Sequence, residues 1–327
     1  MKPPPRAVVL LTLTLLTLGL ALLSLMAGRV WAPLSAFTDM SDPRWPIVFE
    51  LRTPRTLLAI LVGAALGMSG AAMQGYTRNP LADPGVLGVS AMAALGAVGT
   101  LYFGVAAATY WMLPAAAVTG AMAGVLLLLA LAGSTSSAVT FVLAGVILNT
   151  VASAGVALAL NLAPSPWAVN EIVNWLMGSL ADRSFDELTM AAPLIAAGCA
   201  LLLTTGRALD ALTLGETGAR SLGVDMGRMR WALALGVGLA AGASVAATGV
   251  VSFVGLVTPH LMRPLVGAQP GKLLVPSALA GAVIVLAADI LVRLTPSAAE
   301  VKLGVAMAAL GGPFFLGLLL AMRRRMS

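Results

Sequence analysis

"RTPRTLLAILVGAALGMSGAAMQGYTRNPLADPGVLGVS", residues 52–90, joins two apolar runs through a short polar turn. From Thr56 to Thr77 there is no charge, enough chain to cross a hydrocarbon core of about 30 Å as one helix. Gly63, Gly67 and Gly70 put small residues along one face of that helix, which lets a neighbouring membrane helix approach closely. The helix is therefore expected at the centre of a bundle. Pro80 and Pro84 stop helices and Asp83 can cap the next one, so residues 77–90 read as a tight turn. Asn79 and Asp83 then sit at the mouth of the glycine-faced helix, where a gate would stand.

The rest of the chain repeats this grammar. Of 327 residues 59% are hydrophobic and 10% charged, with a mean hydropathy of +0.98; soluble domains carry roughly a quarter charged residues. No charge occurs between Asp83 and Glu171. Apolar runs read against turn signals give ten spans, near 7–27, 56–75, 86–106, 111–132, 138–162, 188–206, 230–249, 252–266, 273–292 and 303–322. The fold class is an all-α integral membrane protein with about ten transmembrane helices, read as a single transmembrane domain over 1–327. The eighth span is short and contains Pro259, so it is expected to be broken or only partly membrane-crossing. The first follows Lys2 and Arg6 and exceeds the usual 7–15 apolar residues of a signal peptide, so it is read as a retained helix.

An even number of spans puts both termini on one side. Twelve basic residues fall there, among them Arg78, Arg207, Arg220, Arg228, Arg230, Arg263, Lys272 and Arg323 to Arg325, against seven opposite. The positive-inside rule makes that side cytoplasmic. A net charge of +6 would point to nucleic acid in a soluble protein, but here it follows topology, and no nucleic-acid partner is expected.

Four features stand out from the lipid-facing background. Arg52 and Arg55, with Arg293 and Lys302, would form a cationic rim on the outer face, suited to an acidic protein partner. Asp289 is the acid nearest the hydrocarbon, and its place one turn before Arg293 favours a local ion pair. His260 is the only histidine, which removes histidine-pair metal sites and His-based triads; it is read as making local hydrogen bonds beside Pro259 and Arg263 rather than ligating haem. The lone Cys199 leaves no disulfide within the chain. The fourth feature is the loop at about 207–229. In "ALDALTLGETGARSLGV" (208–224) Gly215 and Gly223 can end short helices, and Glu216 to Leu222 gives about two turns. Leu212, Leu214, Leu222 and Val224 would be exposed apolar residues beside Glu216 and Arg220. The charge balance is too even for lipid attraction, which leaves a protein partner.

The 52–90 stretch, "LTLGETGARSLGV" (212–224), "GVVSFVGLVTPHLMRPLVG" (249–267) and "AAEVKLGVAMAALGGPFFLGLLL" (298–320) closely resemble the permeases of type II ABC importers for ferric siderophores, haem and cobalamin. The likeness runs in register from about residue 50 to the end of the chain. It implies a ten-helix homodimer in the lipid of a bacterial inner membrane, two ATPase subunits below and a periplasmic binding protein above. Leu212, Leu214, Gly215, Glu216, Ala219, Arg220, Leu222 and Gly223 would contact the ATPase as coupling helices. Arg52, Arg55 and Arg293 would receive acidic residues of the binding protein. Met68, Met73, Asn79, Leu81, Ser136, Ser137, Asn149, Thr150 and Ser153 would form the gate and pathway. Ala268 to Gly271 and Lys302 depart from the family's usual residues.

The chain lacks a GxxxxGK[ST] loop, so ATP and Mg would be held by the partner ATPase, and no catalytic residue, cofactor or metal is expected here. An ion-coupled secondary transporter would want buried coupling groups, which the sequence hardly supplies. A membrane-embedded enzyme would find one histidine and few intramembrane acids to work with. The presumed pathway, rich in Ala, Leu, Gly and Met, suits a bulky, partly apolar chelate. Haem or a ferric siderophore is the expected cargo, with cobalamin the alternative.

Overall fold

The computed structural model describes residues 4–28, 30–107, 109, 111–133, 137–296 and 300–326. Among them it contains α1 (Arg6–Met26), α2 (Thr53–Thr77), α3 (Val89–Tyr102), α4 (Met112–Ala132), α5 (Ala138–Asn161), α6 (Pro166–Leu176), α7 (Phe185–Thr204), α8 (Gly206–Leu212), α9 (Gly215–Ser221), α10 (Met226–Thr248), α11 (Val254–Val266), α12 (Pro270–Leu294) and α13 (Leu303–Met326). Ten of these coincide with the ten expected spans; α6, α8 and α9 are the short additions. Seven are long and apolar enough to cross a membrane, with α3 and the described part of α13 shorter apolar helices. At 13 residues α11 is about 20 Å long, short of the hydrocarbon core, and it holds both Pro259 and Pro264.

Local chemistry sets the helix ends. Ser137, Ser165 and Asp225 cap α5, α6 and α10 through their side-chain oxygens. Ser184 and Glu187 form a reciprocal capping box at the start of α7. Proline occupies the first turn of α2, α6 and α12, where its missing N–H costs nothing.

The glycine face of α2 does what its spacing predicts. A Cβ at Gly63 would strike the backbone of Gly281, one at Gly67 the carbonyl of Ser277, and one at Gly70 the backbone of Gly255. Thus α2 lies backbone to backbone against α12 and α11, buried along nearly its whole length. Helix α10 is also central, but its glycines serve two neighbours: Gly236 meets Leu202 of α7, whereas Gly238 and Gly242 meet Val125 and Ala121 of α4. The peripheral helices α1, α4, α5 and α7 each keep most of their surface bare. One apolar core runs from Val9 and Leu13 of α1 to Leu303 and Met307 of α13.

Candidate functional site

At one end of the bundle α8 and α9 lie across the starts of α5, α10 and α12. Gly215 (φ 86°) and Gly223 (φ 81°) make the bends on either side of α9 in the left-handed region, which glycine adopts without steric cost. Leu214 and Leu222 are 69% and 63% exposed, and Arg220 and Gly223 are also open. Leu212 and Ala219 are not: both are fully buried in the core, and Val224 is half-buried against it. The contact surface is therefore narrower than the sequence pattern indicates, because half of each short helix must pack on the bundle.

Two acids of this loop, Glu216 and Asp210, bind the bundle. Glu216 accepts a hydrogen bond from the Ala138 N–H at 2.8 Å and pairs with Arg230 at 3.5 Å. Arg230, itself buried, donates to the Tyr76 hydroxyl at 3.0 Å. Asp210 accepts from Gly271 N–H and from the Gln269 side chain, both at 2.7 Å. Residues 268–271, which depart from the family's usual run, thus still anchor the loop.

A cavity of about 540 Å³ opens between α3, α5, α10 and the 250–253 loop. Its polar lining is Asp83, Ser90, Asn149, Ser153 and Ser252, and its apolar wall includes Leu66, Val146, Val156 and Leu176. Asp83 caps the turn below, accepting from Gly85 N–H at 2.8 Å. Burial pushes its carboxyl up from the ordinary value, against the opposite pull of that Gly85 N–H. Of the expected pathway residues, Asn149 and Ser153 line this cavity. Thr150 is exposed beside it and returns its hydroxyl to the Val146 carbonyl. Met68 and Met73 lie away from it in the core, because every face of α2 is covered there. Asn79 and Leu81 form an exposed turn closed by the Asn79 side chain on Leu81 N–H at 2.9 Å. Ser137 caps α5, and Ser136 lies outside the described residues. The contributions of Ser252 and of α6 through Leu176 are absent from the sequence reading; Ser165-Pro166, a cap followed by a first-turn proline, was the available signal for α6.

At the other end the arginines do not stand out as a rim. Arg52, Arg55 and Arg293 are 7%, 9% and 8% exposed. Arg55 binds Asp289 at 2.8 Å and also Glu300; Arg293 binds Asp289 at 2.6 Å. Arg52 donates to the carbonyls of Leu25, Met26 and Val30, and Arg293 to Ser24, so two guanidiniums cap the last turn of α1. The physical reason is the cost of an unpaired buried charge: Asp289, fully buried, draws both cations inward. Together with Asp182, Arg183 and Glu300 the three arginines line a pocket of about 210 Å³. The ion pair expected of Asp289 is thus present, with a second partner. His260 packs edge-on against Phe314, with ring centroids 6.1 Å apart; Arg263 instead donates to Gln74. Among the described residues no three of His, Cys, Asp or Glu stand together as metal donors.

The arrangement of ten apolar helices, a lined cavity and short helices laid across one end has close counterparts. A solved structure described as an inward-facing conformation of a metal-chelate type ABC transporter superposes with a TM-score of 0.85 at 32% identity, covering 97% of this chain and 99% of that one. The Fe(3+) dicitrate transport system permease protein FecD of Escherichia coli K12 is 40% identical over 316 residues, 95% of this chain and 98% of FecD. The vitamin B12 import system permease protein BtuC of Klebsiella pneumoniae subsp. pneumoniae is 38% identical over 314 residues, 96% of this chain and 93% of BtuC. The class is that of a multi-pass membrane permease of an ABC importer. The profile of the FecCD transport family matches residues 12–321, and the chain belongs to that family.

Proposed function

We propose that this permease works as a homodimer in a bacterial inner membrane and passes a bulky iron chelate, haem or a ferric siderophore, from periplasm to cytoplasm by alternating access. Both termini, α8 and α9 face the cytoplasm, in keeping with the basic residues gathered there. Two ATPase subunits carry ATP and Mg and dock on Leu214, Arg220, Leu222 and Gly223, the open side of the loop. A periplasmic binding protein delivers the cargo over the Arg52, Arg55 and Arg293 pocket, where acidic side chains would compete with Asp289 and Glu300 for the guanidiniums. The turn holding Asn79 and Leu81, with Ser137 at the start of α5, gates the inner end.

The single observation that carries the cargo reading is the cavity. It is of chelate size, mostly apolar, with neutral hydrogen-bonding groups on α5 and one carboxylate at its base. Cobalamin, the cargo in the name of one relative, fits the same description. Growth of a strain lacking this gene decides between them. Loss of growth on haem or on a ferric siderophore as sole iron source is the expected result. Loss of cobalamin-dependent growth alone would replace the iron reading with the vitamin one.

A further inference from the structure

Two acids tie the α8–α9 loop to the membrane bundle, and their partners differ in kind. Asp210 holds the start of α12 through Gly271 N–H. Helix α12 is locked to α2 by the reciprocal contact of Gly63 and Gly281, so this tie rests on the packed centre. Glu216 holds the start of α5 through Ala138 N–H. Helix α5 is buried only along Phe141, Ala144, Gly145, Leu148 and Ala152, and it carries Asn149 and Ser153 into the cavity.

The Glu216 tie is strong for its size. The first N–H groups of a helix have no partner inside it and their dipoles favour an anion. The second carboxylate oxygen faces Arg230, which is 2% exposed and held to Tyr76 of α2. Tyr76 in turn meets Phe141 of α5 edge-on, with ring centroids 5.3 Å apart. The Ala138 bond joins α9 to the start of α5, and the contact with Arg230 joins it to α10, so the three elements meet at this node.

We propose that Glu216 is a positioning residue that transmits displacement of α9 to α5: the loop is footed on α12 through Asp210 and moves the cavity-lining helix through Glu216. This rests on the reading of α8 and α9 as the ATPase-facing elements.

The test uses the full transporter, permease with its ATPase and binding protein, in proteoliposomes, with ATP hydrolysis and uptake of the chelate identified by growth measured on the same vesicles. Glu216→Ala should keep the ATPase bound and hydrolysing while uptake per ATP falls about tenfold, within the usual range of coupling between sites. A second variant separates this from misfolding. In a Cys199→Ala background, Glu216→Cys with Ala138→Cys should be uncoupled when reduced and regain coupling when a short thiol crosslinker bridges the pair. Hydrolysis and uptake falling in proportion, both remaining at wild-type level, or a bridged pair no better than the reduced one would each overturn the assignment. The importer reading is judged separately, on the wild-type vesicles: uptake there without ATP would sink it whatever the variants do.

Discussion

Asp289 shows how much a single side chain can decide. Fully buried between Arg55 and Arg293, it pairs with two guanidiniums, one shared with Glu300 and the other also capping α1. Asp289→Ala leaves both cations short of a partner, and removing one member of a buried pair costs about 3–5 kcal/mol. Thermal unfolding of the purified protein should show that loss; a change below about 1 kcal/mol, the value of an exposed pair, would mean the site is wet. Asp83 gives a prediction in pH. Its folded carboxyl is raised above an unfolded value near 3.9. The native state therefore holds the proton longer, and stability falls as pH rises from the unfolded value through the folded one. Asp83→Asn keeps an oxygen for Gly85 N–H and should remove that dependence. Unfolding midpoints of both proteins between pH 4 and 8 should diverge as pH rises, the wild type becoming the less stable; parallel curves would contradict the assignment. The residues of these sites were legible as types and places, but of their partners only the local Asp289–Arg293 pair was. Arg55 and Asp289 are 234 positions apart, so nothing local to either announces that the apparent rim is an internal network.

Helices reveal themselves in sequence when their constraint is periodic. The Gly63, Gly67, Gly70 spacing located the central helix because only a bare backbone admits the Gly281 and Ser277 carbonyls. Gly67→Leu forces α2 and α12 apart, at a cost of about 1–3 kcal/mol or more for overpacking. The same change at Gly19, where an added Cβ meets nothing, should be nearly silent. Equal unfolding midpoints for the two variants would refute the packing. In α10, Gly236, Gly238 and Gly242 share no single face, because they serve both α7 and α4. In the 207–229 loop, glycine and leucine marked two short helices, yet Leu212 and Ala219 face inward. A seven-residue helix has too few turns for its pattern to say which side the bundle covers.

At the scale of the whole molecule the ten helical segments were read from apolar length, because lipid leaves only helices or closed barrels to satisfy the backbone; among the described residues seven of them are long and apolar enough to cross a membrane. The cavity was not legible in that way. It is assembled from α3, α5, α10, Leu66 of α2, the 83–86 turn, Leu176 at the end of α6, residues 250–252 and Gly255 of α11, places with no shared local signal. The proposed function makes ATP hydrolysed on a separate subunit the energy source for this permease. The most direct test is uptake of chelate into proteoliposomes holding the permease with and without its ATPase subunit and binding protein. Accumulation that requires all three proteins and hydrolysable ATP is the predicted result. Accumulation by the permease alone, driven by a proton or sodium gradient, would contradict it.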